Sequence, residues 1–408
     1  MFRRIYRNTS AQLIGRLVSA VSAFVSTLLL AHALGSVYFG EYTKIIVFIT
    51  LFYPAVDFGF NTIFIKEGRD RVEKKFASFF SFRIFLGIFY SVIAVSIGWL
   101  LALLNRGFSP LVLQTIILAS GAIVGYSVLL AVQALFQSRQ RFAQSTVGLT
   151  IGSSISTGVL LILYPLLKAQ PTVGVVIAIC LFILGIWGSA LVQLFLARNI
   201  SITFQVDKSQ WFSWFKESVP LGVTLLFNII YFRVDTLFLS IYRTSAEVGA
   251  YGFAYKFFEF ALVIPAFFMN SVYPELVENK EKPYVFRKLM YHSYVFLFLA
   301  ACCFGLLLWW AAPLLGWFKA DFYPSIDLLR LLVLGLPIFY LTSPLMWWFV
   351  LKNKQKQLAF LYGGSMIFNV VFNFLFIPTF GAKAAAIITG ITEFVVLLLG
   401  FIYSKNHP

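Results

Sequence analysis

Charge is what this sequence has least of. Only 12% of its 408 residues are Asp, Glu, Lys or Arg, against about a quarter in soluble domains, while 60% are hydrophobic and the mean hydropathy is +0.87. Such a chain has too little polar surface to cover a water-facing globule. Cysteine is nearly missing. Cys180, Cys302 and Cys303 all lie inside apolar runs, which excludes a disulfide framework and a C-x-x-C metal or redox site. Long polar stretches are missing too: the longest, about residues 199–216 and 273–288, are too short for a soluble catalytic domain. No G-x-x-x-x-G-K-[ST], H-E-x-x-H or G-x-S-x-G occurs. Together these absences exclude an ATPase, a kinase or a soluble-type glycosyltransferase, and they call for no cofactor and no metal. Acidic residues are the scarcer sign, 16 against 32 Lys and Arg, but the cations sit in short connectors rather than on one stripe, which argues against nucleic acid.

What the sequence has is apolar runs of bilayer length, about 18 or more residues each. They predict spans at 10–34, 42–65, 77–104, 109–136, 143–167 and 172–197, then 218–241, 249–272, 289–312, 326–350, 357–378 and 382–404. The first follows Arg3, Arg4 and Arg7 without an early cleavage site, so it reads as a retained span and not a signal peptide. With the N-terminus inside, 21 cations fall on the cytoplasmic side and six (Arg106, Lys168, Arg243, Lys319, Arg330, Lys383) outside. Both termini are therefore expected in the cytoplasm. The expected fold is an all-α polytopic membrane protein with about twelve transmembrane helices.

The chain also matches itself. Phe39-Gly40-Glu41-Tyr42 answers Val248-Gly249-Ala250-Tyr251, Pro54 answers Pro265, the stretch 137–141 answers 351–355, and Pro165 answers Pro378. The shared order predicts two six-helix lobes, 1–205 and 206–408. An even number of spans per lobe makes them parallel repeats, with a central cavity and alternating access by rocking.

Eight ionisable residues fall well inside the spans: Arg16, Asp57, Arg83, Arg233, Asp235, Lys256, Glu259 and Glu393. At about 2.5–3.5 kcal/mol each, unrelieved placement is prohibitive, so they are expected to face a cavity or one another. Lys256 and Glu259 are three apart and share a helix face. Arg233 and Asp235 are two apart, so each needs a partner on another helix. Arg16, Arg83, Arg233 and Lys256 are the candidate contacts for an anionic ligand, since guanidinium groups grip phosphate oxygens in pairs. Asp57, Asp235, Glu259 and Glu393 are candidate coupling or structural acids; Glu393 shows no obvious partner in the sequence.

Three stretches carry a resemblance: Ala33–Tyr42 followed by Asp57-Phe-Gly-Phe-Asn61; Pro220 with Asp235, then Val248–Tyr251, Lys256, Pro265 and Pro274; and Gly381–Ala386 leading to Thr392-Glu393. Together they resemble the polysaccharide transporter family, the Wzx-type O-antigen flippases of the multidrug/oligosaccharidyl-lipid/polysaccharide exporter superfamily. That resemblance implies an inner-membrane flippase for oligosaccharide repeat units on undecaprenyl pyrophosphate, serving O-antigen, lipopolysaccharide, capsule or exopolysaccharide synthesis. It also implies drive by an ion gradient (H+ or Na+), a membrane-lipid environment, and a polysaccharide polymerase and chain-length regulator as partners. It carries Arg16, Asp57, Asp235, Lys256 and Glu393 over by context. The rival expectations are an ion-coupled multidrug or sugar exporter, a lipid II flippase and, as an enzyme, a membrane-embedded glycan ligase or polymerase. The loop Asp70-Arg-Val-Glu-Lys-Lys75 lacks the glycines of major-facilitator sugar porters, and no large outer loop is present for a ligase.

Overall fold

The computed structural model describes residues 2–104, 106–198 and 203–406; the side chains of 2–14, 16, 69–71 and 406 lie outside that description. No strand occurs among the described residues. The helices are α1 (Phe2–Thr50), α2 (Tyr53–Asp57), α3 (Phe60–Lys66), α4 (Arg69–Leu103), α5 (Pro110–Ala119), α6 (Gly121–Ser138), α7 (Phe142–Ala169) and α8 (Pro171–Leu196). After them come α9 (Lys208–Tyr242), α10 (Ser245–Ala261), α11 (Val263–Glu278), α12 (Pro283–Ala311), α13 (Pro313–Phe318), α14 (Tyr323–Leu334), α15 (Leu336–Leu351) and α16 (Gln355–Asn406).

Ten helical stretches among the described residues are long and apolar enough to cross a membrane. Two of them, Leu17–Lys66 and Gln355–Lys405, run for 50 and 51 residues. A straight helix of that length is about 75 Å long, more than twice the hydrocarbon thickness of about 30 Å. Near its middle each turns at a glycine in a conformation that a side chain resists: Gly35 (φ 72°, ψ 174°) in α1 and Gly381 (φ 62°, ψ −142°) in α16. Each long stretch therefore supplies two crossings, and the described residues hold the twelve that the apolar runs predict.

The breaks repeat between the halves. The second crossing changes direction at Phe58 and Gly59 (φ 42° and 75°), four residues after Pro54, and the eighth breaks at Leu262, just before Pro265. The fourth and tenth are each in two pieces, α5–α6 at Ser120 and α14–α15 at Gly335. The turns after those crossings also match. Arg141 N–H donates to Phe136 O and Lys354 N–H to Phe349 O, both at 2.8 Å, and the residues before them, Gln140 and Asn353, are left-handed at φ 55° and 56°. Each is a six-to-one helix stop closed by a non-glycine residue.

By backbone contacts the chain forms two compact units: Met1–Leu34 with Glu41–Ile229, and Gly35–Gly40 with Ile230–Pro408. In the first unit, rings from α3, α4 and the start of α9 interlock: Trp214 stands edge-on to Phe64 and Phe79, which stack at 3.8 Å. In the second, the repeated glycines form a backbone crossing. A Cβ on Gly40 would fall 1.7 Å from Ser245 O, and one on Gly249 would fall 2.0 Å from Ser36 O. Ser36 with Gly40 and Ser245 with Gly249 are each four apart, the small-residue spacing that lets membrane helices touch through their backbones. Gly249→Val is expected to cost about 3 kcal/mol through overpacking and to remove most protein from the monodisperse peak on size exclusion. Gly158→Ala, at a site with open space, should leave the elution and thermal unfolding unchanged.

Candidate functional site

The first unit centres its charges on the break in the second crossing. Where α2 stops, the last carbonyls of its turn lose their helical donors. Arg83, from the middle of α4 and wholly buried, supplies them: its Nη1 donates to Val56 O at 2.5 Å and to Asp57 O at 3.4 Å, and its Nη2 donates to Asn61 Oδ1. The guanidinium lies 3.8 Å from the Asp57 carboxylate and between the rings of Phe60 and Phe79, 5.3 and 5.1 Å away. Asn61 Nδ2 in turn donates to Leu130 O at 2.9 Å. Asp57 keeps 31% of its side chain exposed while Arg83 stands behind it. Arg16 is on α1, and its side chain lies outside the described residues.

The second unit holds the other five charges. Thr244 caps α10 through Glu247 N–H at 3.3 Å, starting the helix that carries Lys256 and Glu259. Glu259 accepts from Lys256 Nζ and from Arg233 Nη2, both at 2.8 Å, so two cations share one acid. Arg233 also lies 5.9 Å from the Tyr255 ring. Glu259 and Lys256 are 39% and 40% exposed and Arg233 22%, which makes this an open cluster with one positive charge in excess. By helical rise, Arg233 and Lys256 sit about 15 Å from the ends of α9 and α10 at Tyr242 and Ser245.

Asp235 and Glu393 are buried instead. Asp235 accepts from the Tyr251 hydroxyl, from Thr236 N–H at 2.6 Å and from the Thr236 hydroxyl at 3.2 Å, with the Thr389 hydroxyl at 3.5 Å. All these donors are neutral, and among the described residues Asp235 forms no ion pair. Glu393 accepts from the Tyr231 hydroxyl. Tyr231 and Asp235 are one turn apart on α9, and Thr389 and Glu393 one turn apart on α16. The two contacts are rungs between one face of each helix. Beside them, Asn369 Nδ2 donates to the Thr392 hydroxyl at 3.2 Å, and Asn373 Nδ2 to Asn369 O and Oδ1 at 2.8 Å.

Sequence reasoning missed the neutral partners: Asn61, Tyr231, Tyr251, Thr389, Asn369 and Asn373. A signal was present for two of them, since Asn369 and Asn373 stand four apart in an apolar run and so share a face. Arg330, expected on the outer side, lies seven residues into α14 with its guanidinium 5.4 Å from the Trp309 ring. Arg83→Ala would leave Asp57 and two carbonyls unpaired and is expected to destabilise by about 3–5 kcal/mol in detergent thermal unfolding. Arg83→Lys should recover less than half, because one ammonium cannot span the carbonyls and Asn61. An Arg83→Ala variant as stable as the unaltered chain would refute this role.

A family model described as polysaccharide biosynthesis protein matches residues 5–280, and a model described as MatE matches residues 220–375. Among solved structures, the lipid II flippase MurJ in an inward closed conformation is similar with a TM-score of 0.76 at 15% identity, covering 97% of this chain and 87% of that one. An inward-facing multidrug resistance MATE family transporter of the MOP superfamily gives 0.68 at 12% identity, covering 97% and 94%. A MOP superfamily transporter from Pyrococcus furiosus, described as having a binding pocket of reverse polarity, gives 0.62 at 14%, covering 98% and 94%. No curated protein matches the chain by sequence.

Proposed function

The chain belongs to the polysaccharide biosynthesis protein family, within the superfamily of the MATE transporters, and on that premise we propose that it is a flippase for lipid-linked oligosaccharides. Its cargo in this reading is an oligosaccharide repeat unit on undecaprenyl pyrophosphate, carried by alternating access from the cytoplasmic to the periplasmic leaflet of a bacterial inner membrane. The product would feed O-antigen, capsule or exopolysaccharide assembly, with a polymerase and chain-length regulator downstream. Likeness to a lipid II flippase supports a lipid-linked cargo over a drug.

The observation that carries the proposal is the Arg233–Glu259–Lys256 cluster. Two cations on one acid, partly exposed at membrane depth, attract an anion and repel a cationic drug. Lys256 and Arg233 are the first contacts for the pyrophosphate, with Arg16 a further one. Arg83 contributes from behind Asp57. The carboxyls of Asp57, Asp235 and Glu393 are the candidates to exchange H+ or Na+ as the transporter resets, and Glu259 sets the charge of the cluster. Transport of this kind needs no bond-making chemistry in the protein.

The test is reconstitution into liposomes with a fluorescent undecaprenyl-pyrophosphate oligosaccharide, with flipping followed by quenching from outside. Lys256→Ala combined with Arg233→Ala should slow flipping at least about tenfold, the effect of losing about 1.4 kcal/mol. Glu259→Gln, which raises the cluster's net charge, should tighten competition by free pyrophosphate. Flipping at the unaltered rate by the double variant would overturn the anionic-cargo reading.

A further inference from the structure

At the end of the second unit that holds Lys405, α15 and both halves of α16 leave an open groove of about 350 Å3, lined by Phe349, Gln357, Phe360, Leu361, Leu399 and Tyr403. Its walls are apolar except for one amide and one hydroxyl, and Phe360 is 82% exposed on its rim. The left-handed Asn353 turns the chain back sharply here and gathers Lys352, Lys354 and Lys356 at one end, close in sequence to the lining residues Phe349 and Gln357. Lys354 Nζ is held 5.3 Å from both the Trp348 and the Tyr403 rings, and Tyr403 stacks on Phe349. Lys352, Lys356 and Lys405 are exposed. From residue 351 to 408 the one acid is Glu393, ten residues before Tyr403 and so about 15 Å deeper along the helix.

An apolar slot at the edge of a span, with several cations and no acid among its lining residues or their near neighbours in sequence, is complementary to an amphiphile with an anionic head. A soluble anion would use the lysines alone, and a neutral lipid the slot alone. Size narrows the occupant: at about 30 Å3 per water-sized group, the groove takes on the order of a dozen methylene-sized groups, one acyl chain and far less than a polyprenyl tail. We propose that this groove is a binding site for an anionic diacyl phospholipid, one acyl chain lying between Phe349, Leu361 and Leu399 and the phosphate held by Lys352, Lys356 and Lys405. Basic sites between transmembrane helices are suited to such headgroups, and each lysine near the surface adds about fivefold to affinity. Tyr403 and Gln357 add hydrogen-bond donors at the level of the glycerol esters.

The proposal is tested with the full chain carrying Phe360→p-benzoylphenylalanine, in nanodiscs of equal parts phosphatidylglycerol and phosphatidylcholine, with light-induced adducts identified by mass. Phosphatidylglycerol adducts should exceed phosphatidylcholine adducts about fivefold or more. Adding Lys352→Gln, Lys356→Gln and Lys405→Gln should bring the ratio to near one with unchanged thermal unfolding. Should that variant fail to fold, about 1 M salt applied to the chain with native lysines must collapse the preference, since the Debye length is then about 3 Å. Equal labelling of both lipids, adducts mainly on a second protein chain, or displacement of phosphatidylglycerol by added undecaprenyl pyrophosphate would each overturn it. The readout is lipid identity at one side chain, so it stands or falls independently of flipping.

Discussion

Inside a bilayer every backbone carbonyl needs a donor from the protein, because no water reaches it, and this constraint governs where the chain is able to break its helices. The second, fourth, eighth and tenth crossings are interrupted, and at three of these breaks side chains supply the missing donor. Arg83 serves Val56 and Asp57 at the first. Ser91 donates to Ser120 O at 2.8 Å and Trp187 to Gly121 O at 2.9 Å at the second. Tyr340 donates to Ala261 O, the carbonyl left by Pro265, at 2.7 Å. Even the kink at Gly381 is held this way: Glu247 accepts from Ala382 N–H at 2.7 Å, and Arg243 donates to Pro378 O at 3.2 Å. Polar residues in this interior are thus first of all backbone partners.

That ordering explains the different fates of the buried charges. Arg83 is enclosed because two carbonyls and Asn61 take up its Nη1 and Nη2 donors, with Asp57 as counter-charge, while its buried Nε finds no acceptor among the described residues. Asp235 is enclosed by neutral donors, an environment in which a carboxylate and a carboxylic acid both find hydrogen bonds. Glu259 is left partly open with two cations on it. The open cluster, whose charges do not cancel, is the one suited to meet a mobile partner.

The apolar runs gave away the twelve crossings because span length is set by bilayer thickness, and that quantity is visible in one dimension. The matched motifs also had physical content: Gly40 and Gly249 are the residues of a backbone crossing, and 137–141 and 351–355 form the same helix stop. Spacing alone placed Arg233 and Asp235 on different partners, as Glu259 and Tyr251 demonstrate. What stayed hidden were the neutral partners. A tyrosine or threonine in an apolar run reads as packing, and nothing local distinguishes Tyr231, which meets Glu393 from 162 residues away, from the aromatics facing lipid.

The two rungs between α9 and α16 also limit how such a sequence is able to vary in length. Each joins residues one turn apart on both helices, so the pair fixes rotation and translation together. Removing one residue from either helix between a rung and the nearest break would turn everything beyond it by about 100° and carry a carboxyl toward hydrocarbon. Insertion and deletion in these helices thus belong at their ends or must come in whole turns. The interior therefore acts as a ruler as well as a site.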